Sequence, residues 1–134
     1  MPTAKTEDYL EAMLELEQEK GYIRVKDIAD KHGVSSPTVI EMLEKLDARG
    51  FIRYEKYGGI SLMEKGKRIA SEIKHMHELL TEFLRIIGIP QKTAQRDACK
   101  IEHHLSPETV EQLTRFVEFM KKNQSAEWLK DIKD

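Results

Sequence analysis

Cys99, Glu102 and His103 stand at positions i, i+3 and i+4. On an α-helix that spacing stacks a thiol, a carboxylate and an imidazole on one face. Three such groups make half of a transition-metal site, because sulfur and imidazole select d-block ions while a carboxylate also admits harder ones. Asp8 and Glu11 form an acidic pair at i and i+3, and His77 lies far from both clusters along the chain. Six ligand-type side chains on three predicted helices suffice for one site, or for two adjacent sites sharing carboxylates. Each residue also has a plainer use. Acids in a first helical turn are favoured by the helix dipole, a histidine such as His77 can be as solvated as its neighbours His75 and His104, and a single cysteine packs as a small apolar residue. Periodicity alone leaves open whether the three helices meet.

The elements that would position these groups are legible from caps and periods. Thr6 reads as the N-cap of a helix to about Lys20, with Leu10, Met13, Leu14 and Glu17 on one face and Gly21 as its stop. Val25 to about His32 is short and amphipathic, ending at Gly33. Ser36-Pro37 reads as N-cap plus first-turn proline for a helix with the stripe Val39, Met42, Leu43 and Leu46, followed by Gly50. The period then changes to two. Phe51–Lys56 and Ile60–Leu62 flank Tyr57-Gly58-Gly59 as a β-hairpin. A long helix runs from near Glu64 to Ile87, residues 91–104 are helical by pattern, and Ser106-Pro107 opens a helix to about Lys122. Ser125 is a candidate cap for a last short helix. The fold class is mainly α: an N-terminal winged helix-turn-helix over residues 1–63 and a C-terminal all-helical domain over residues 64–134.

Composition narrows the function classes. With 40% apolar and 34% charged residues, the chain suits a helix-rich globular protein rather than a disordered one. No apolar run reaches the roughly 18 residues of a membrane span, and Met1-Pro2-Thr3-Ala4-Lys5 lacks a secretory h-region. One cysteine excludes an internal disulfide and fits a reducing cytoplasm. The net charge of −2 hides an asymmetry: residues 1–21 hold six acids against two bases, whereas residues 22–68 hold ten bases against seven acids.

That basic segment contains the short helix, turn, capped helix and hairpin of a winged helix-turn-helix. Its second helix would enter a DNA major groove by its N-terminal end. Ser35, Ser36, Pro37 and Thr38 sit at that end, where hydroxyls and free N–H groups meet phosphates and base edges. Glu41 follows on the same helix and is unfavourable near phosphate unless it accepts from a cytosine amino group. Arg53, Lys56 and Tyr57 are offered by the wing, and Lys65 and Lys67 open the next helix. A winged helix used only for protein contacts is the competing reading of this half.

The chain as a whole resembles the diphtheria-toxin-repressor family of metal-dependent regulators, closest to its manganese-transport-regulator branch. The resemblance rests on Glu7-Asp8-Tyr9-x-Glu11, Val25-x-Asp27-Ile28-Ala29, Tyr54-Glu55-Lys56-Tyr57, His77-Glu78-Leu79-Leu80, Phe83-Leu84-Arg85-Ile86-Ile87-Gly88 and Ile101-Glu102-His103-His104-Leu105-Ser106. It implies that Asp8, Glu11, His77, Cys99, Glu102 and His103 are metal ligands. It also implies a hybrid site. The manganese branch has Glu where this chain has Cys99, and the iron branch has Cys there but Met in place of Asp8. Where this chain has Glu41, the manganese branch commonly carries a base.

The resemblance therefore implies a cytoplasmic, homodimeric repressor of metal-uptake genes. Mn²⁺ or Fe²⁺, at one or two ions per subunit, would activate it on a double-stranded DNA operator. Neither a membrane nor a small organic substrate is expected as a partner. Leu79, Leu80, Phe83, Leu84, Ile86 and Ile87 are too many apolar residues for one face of a surface helix, which also points to a dimer built on residues after about 64. The alternative is a metal-independent winged-helix regulator. An enzyme is not expected, because no general base or nucleophile stands apart from the ligand-type residues.

Overall fold

The computed structural model describes residues 2–123, and among them everything regular is helix except one hairpin. It forms two compact units, Met1–Glu72 and Ile73–Asp134. The predicted cap at Ser125 lies outside the described residues.

The first unit contains α1 (Ala4–Lys20), α2 (Val25–His32), α3 (Ser36–Ala48), β1 (Ile52–Glu55), β2 (Gly59–Leu62) and the start of α4 (Glu64–Ile86). Two caps fall earlier than the sequence suggested. Thr3 caps α1, accepting from the Thr6 N–H at 3.2 Å, and Thr6 is buried inside the helix it was expected to open. Ser35 caps α3, accepting from the Thr38 N–H at 3.3 Å, so Pro37 falls one position deeper than expected. Proline is harmless there because the first-turn N–H groups have no intrahelical acceptor to lose.

The core of this unit joins Leu10 and Met13 of α1, Ile28 of α2, Val39, Leu43 and Leu46 of α3, and Phe51 and Ile52. Each such burial contributes about 1.5–3 kcal/mol. α1 is buried on more than one face, because Tyr9, Ala12, Leu14 and Leu16 are covered as well. β1 and β2 pair antiparallel with Ile52 opposite Leu62 and Arg53 opposite Ser61, which puts the first pair in the core and the second in solvent. Gly66 lets the first turn of α4 lie on this hairpin: a Cβ there would overlap the Phe51 carbonyl.

The second unit is the rest of α4 with α5 (Gln91–Ile101) and α6 (Pro107–Lys122). Ala94 and Ala98 of α5 and Val117 and Met120 of α6 are buried. A Lys121–Glu82 ion pair of 2.8 Å and an edge-on Phe83–Phe116 contact join α6 to α4. Leu79 and Leu80, expected to be covered by a second copy, are already buried within the single chain, whereas Ile87, Phe116 and Phe119 remain exposed.

Tyr9 stacks on His32, ring centroids 4.3 Å apart and planes within 9°. The phenol oxygen and His32 Nε2 are both buried with no hydrogen-bond partner. Burial raises the Tyr9 pKa and lowers that of His32; Asp8 partly opposes the latter and Lys31 adds to it. The folded state therefore resists protonating His32, and the unfolded chain binds the proton more readily below the ordinary imidazole value of about 6.5. Stability at this site is complete above that pH and is lost as the pH falls through it. Wild type should melt at a progressively lower temperature between pH 7.5 and 5.5 than a His32→Phe variant melts over the same range. Parallel melting curves for the two proteins would show that the stack does not sense protons.

Candidate metal centre and DNA-contacting face

Two elements of the second unit bring three candidate ligands together. His77 lies mid-way along α4 and Cys99 near the end of α5, and one ligand atom from each of His77, Cys99 and Glu102 lies within 4.8 Å of the others. Ligands held about 2.0–2.3 Å from a tetrahedral ion sit roughly 3–4 Å from one another, so a small contraction would close this set. His77 Nδ1 is 2.8 Å from Glu102 Oε2, and Cys99 Sγ is 3.6 Å from the same nitrogen.

The helix bearing Cys99 ends sooner than its periodicity suggested. α5 stops at Ile101, and Glu102 is its C-cap in αR geometry, with its N–H still bonded to the Ala98 carbonyl. Glu102 thus keeps the i+3 relation to Cys99, while His103 belongs to the turn that follows. His103 nevertheless remains beside the cluster: its Nε2 lies 3.6 Å from Glu102 Oε1. Asp8 and Glu11 share α1 in the first unit, both half-buried.

Glu102 tests whether a cation suits this place. Its side chain is fully buried, and Oε1 has no hydrogen-bond partner. A carboxylate oxygen removed from water and left without a donor is costly, and a divalent ion would supply the missing positive charge. Sulfur, imidazole and carboxylate together form a donor set for a first-row transition metal. The residues fit such an ion.

Sequence reasoning did not find the cavity of about 520 Å³ beside His77, lined in part by Thr81, Arg85, Gln91 and Gln95. Its neutral amides and hydroxyl carry no motif. Their separation along the chain, on α4 and α5, hides them.

In the first unit, α3 turns Ser36, Pro37, Thr38, Glu41, Glu44 and Lys45 to solvent and buries Val39, Leu43 and Leu46. The hydroxyls of Ser35 and Thr38 lie 2.9 Å apart, and Glu41 pairs with Lys45 at 3.8 Å. On the wing, Tyr57 is 94% exposed and carries the Lys56 ammonium 5.7 Å from its ring centroid, while Arg53 lies 3.7 Å from Glu55. Lys65 donates to the Arg49 carbonyl at 3.4 Å, and Lys67 is 3.9 Å from Glu17. The bases predicted from the sequence are therefore exposed, several of them held by weak local contacts that cost little to exchange.

Residues 1–60 match the iron-dependent repressor N-terminal DNA-binding domain, and residues 63–127 match the iron-dependent repressor metal-binding and dimerisation domain. The chain belongs to the iron-dependent repressor family. This repressor is 40% identical over 133 residues to the HTH-type transcriptional regulator MntR of Geobacillus kaustophilus (strain HTA426), covering 98% of this chain and 94% of that protein. Among solved structures it is similar to the manganese regulator SloR, with 33% identity, a TM-score of 0.74, and 85% of this chain covered. It is also similar to T. acidophilum IdeR, with 28% identity, a TM-score of 0.74 and 87% coverage. The repressor spans about half the length of those two solved chains, 54% and 55%. Its two domains make it a metal-dependent, DNA-binding transcriptional repressor rather than an enzyme, with DNA and a second copy of itself as partners.

The half-compensated Glu102 yields a direct test. Glu102→Gln should leave the metal-free protein as stable as wild type or more so, because it deletes a buried charge that accepts no hydrogen bond on one oxygen. The same change should sharply weaken Co²⁺ binding followed by the ion's absorption spectrum. Lower stability in chelator, with Co²⁺ binding intact, would mark Glu102 as a structural acid instead.

Proposed function

We propose that this repressor shuts off metal-uptake genes in the cytoplasm when Mn²⁺ or Fe²⁺, one or two ions per subunit, is held by Asp8, Glu11, His77, Cys99, Glu102 and His103. Residues 1–63 are the DNA-binding domain in this reading, and residues 64–134 bind metal and dimerise. The observation that carries it is the cluster of His77, Cys99 and Glu102, in which Glu102 is buried and one of its oxygens accepts no hydrogen bond. SloR is named as a manganese regulator, which supports a metal of that kind here.

The ligand roles follow from the side chains. Glu102 supplies the buried charge, His77 and His103 supply imidazole nitrogens, Cys99 supplies sulfur from the exposed edge, and Asp8 and Glu11 add carboxylates from α1. The bound cation contributes the positive charge that makes this mutually repelling donor set favourable. On the DNA side, Ser35, Ser36, Pro37 and Thr38 present the helix end, and Glu41 faces outward from the same helix. Arg53, Lys56, Tyr57, Lys65 and Lys67 meet the phosphate backbone. Exposed Ile87, Phe116 and Phe119 are the apolar surface left for a second copy.

Cys99 decides the metal ranking. A thiolate biases the site toward Fe²⁺, Co²⁺ or Zn²⁺, and a carboxylate in its place favours Mn²⁺. Cys99→Glu should strengthen Mn²⁺ activation relative to Fe²⁺ and Co²⁺, and Cys99→Ala should weaken activation by the softer ions. Operator-length DNA titrated by fluorescence anisotropy, with each metal in parallel, measures both. An unmoved ranking in both variants removes Cys99 from the ligand set, and wild-type binding indifferent to chelator would favour the metal-independent alternative.

The wing has its own signature. If Lys56 neutralises a phosphate, Lys56→Ala should weaken binding to every sequence alike. It should also flatten the plot of log affinity against log salt by about 0.9. An unchanged slope takes Lys56 off the phosphate-contact set.

A further inference from the structure

The outward face of α3 is centred on an acid, which is an unusual charge to aim at DNA. At about 100° per residue, Glu41 lies roughly 140–160° around the helix from Val39, Leu43 and Leu46, the three residues that fix α3 against the core. It therefore points almost directly away from the protein. Pro37, Thr38, Glu44, Lys45 and Ala48 fall within about 60° of it on the same face, and all are exposed. In a helix that enters the groove by its N-terminal end, the first two turns meet the bases. In those turns Pro37 has no polar side chain, and the Thr38 hydroxyl is 2.9 Å from Ser35 Oγ at the cap. Glu41 follows with a carboxylate whose side chain is 73% exposed and which touches Lys45, itself 67% exposed, at only 3.8 Å.

We propose that Glu41 determines operator sequence by accepting from the N4 amino group of a cytosine placed symmetrically in each half-site. This inference rests on the reading that the repressor binds double-stranded DNA through α3. The chemistry selects the base. In the major groove guanine presents only acceptors, and thymine an acceptor and a methyl group. Adenine sets an acceptor beside its amino donor, whereas cytosine offers a donor alone. A carboxylate, which accepts and never donates when ionised, is repelled at the first two and half-repelled at adenine. Lys45, one turn on and about 40° around, carries the donor that the guanine of the same C·G pair requires. The Glu41–Lys45 pair thus complements one base pair, and its exposure lets the two side chains exchange each other for base edges at low cost.

The experiment is selection of duplexes with randomised half-sites by the full-length protein in the presence of Mn²⁺, Fe²⁺ or Zn²⁺, followed by affinity measurements on single substitutions. Wild type should enrich cytosine at one symmetric position and lose about ten- to a hundredfold in affinity when that C·G pair becomes T·A. Glu41→Gln should move the preference at that position to adenine, the base an amide matches in bidentate fashion. Glu41→Ala should lose the preference there, retain it elsewhere, and bind unrelated DNA more tightly because a negative charge has left the interface. Retained enrichment at the other positions shows that each variant is folded. The same bases enriched by all three proteins would overturn the role of Glu41 alone. No enrichment by wild type with any metal would overturn this inference together with the DNA-binding reading beneath it.

Discussion

A carboxylate withdrawn from water must be met by donors or by positive charge, and in this repressor Glu102 is met on one side only. His77 reaches one oxygen at 2.8 Å, and the other faces a histidine nitrogen at 3.6 Å, beyond hydrogen-bonding distance. The local architecture accommodates that unfinished contact. α5 ends at Ile101 yet keeps the Glu102 N–H on the Ala98 carbonyl, which holds the acid in helical register with Cys99. Ala94 and Ala98 are both fully buried and form the inner side of α5. The protein holds a fold with one interaction withheld, and a cation can supply it. Metal dependence then follows as linkage, since an ion that binds the folded arrangement stabilises it by mass action.

The DNA-binding unit solves a different problem, which is rotational phase. A helix reads bases only if the correct stripe faces outward, and the phase of α3 is set from behind by Val39, Leu43 and Leu46 in a fully packed core. The wing obeys the same logic with a period of two: the inward Ile52–Leu62 pair obliges Arg53 to face solvent. Gly66 contributes by absence, since any side chain there would strike the Phe51 carbonyl and lift α4 from the hairpin. In both elements the apolar residues determine where the polar ones point.

Much of this was legible in the sequence because local chemistry punctuates it. Gly21, Gly33 and Gly50 adopt the positive φ that ends helices, and Pro107 starts one, so those boundaries fall where the residues put them. The errors have physical causes. Thr3 and Thr6 are both competent caps, as are Ser35 and Ser36, and only packing chooses between them; burial of Thr6 decides the first case. No glycine or proline lies between Ile101 and Ser106, so the end of α5 carried no local signal and was drawn too late. The spacing of Cys99 and Glu102 marked a candidate metal cluster, but its meeting with His77 is tertiary and no periodicity encodes it. The burial of Leu79 and Leu80 within one chain was hidden for the same reason, because apolar periodicity marks a face to be covered without naming what covers it.

The cluster is also lopsided in depth, with Glu102 sealed inside and Cys99 open to solvent. On the proposed ligand set this asymmetry governs time as well as affinity. An ion held there would be shielded on the side of the buried oxygen, and an external thiol or chelator would reach it from the sulfur side. Exchange by that associative route does not wait for the fold to open. A sensor built so would follow the metal supply of the moment, releasing its ion as the surrounding pool falls rather than keeping a record of past abundance.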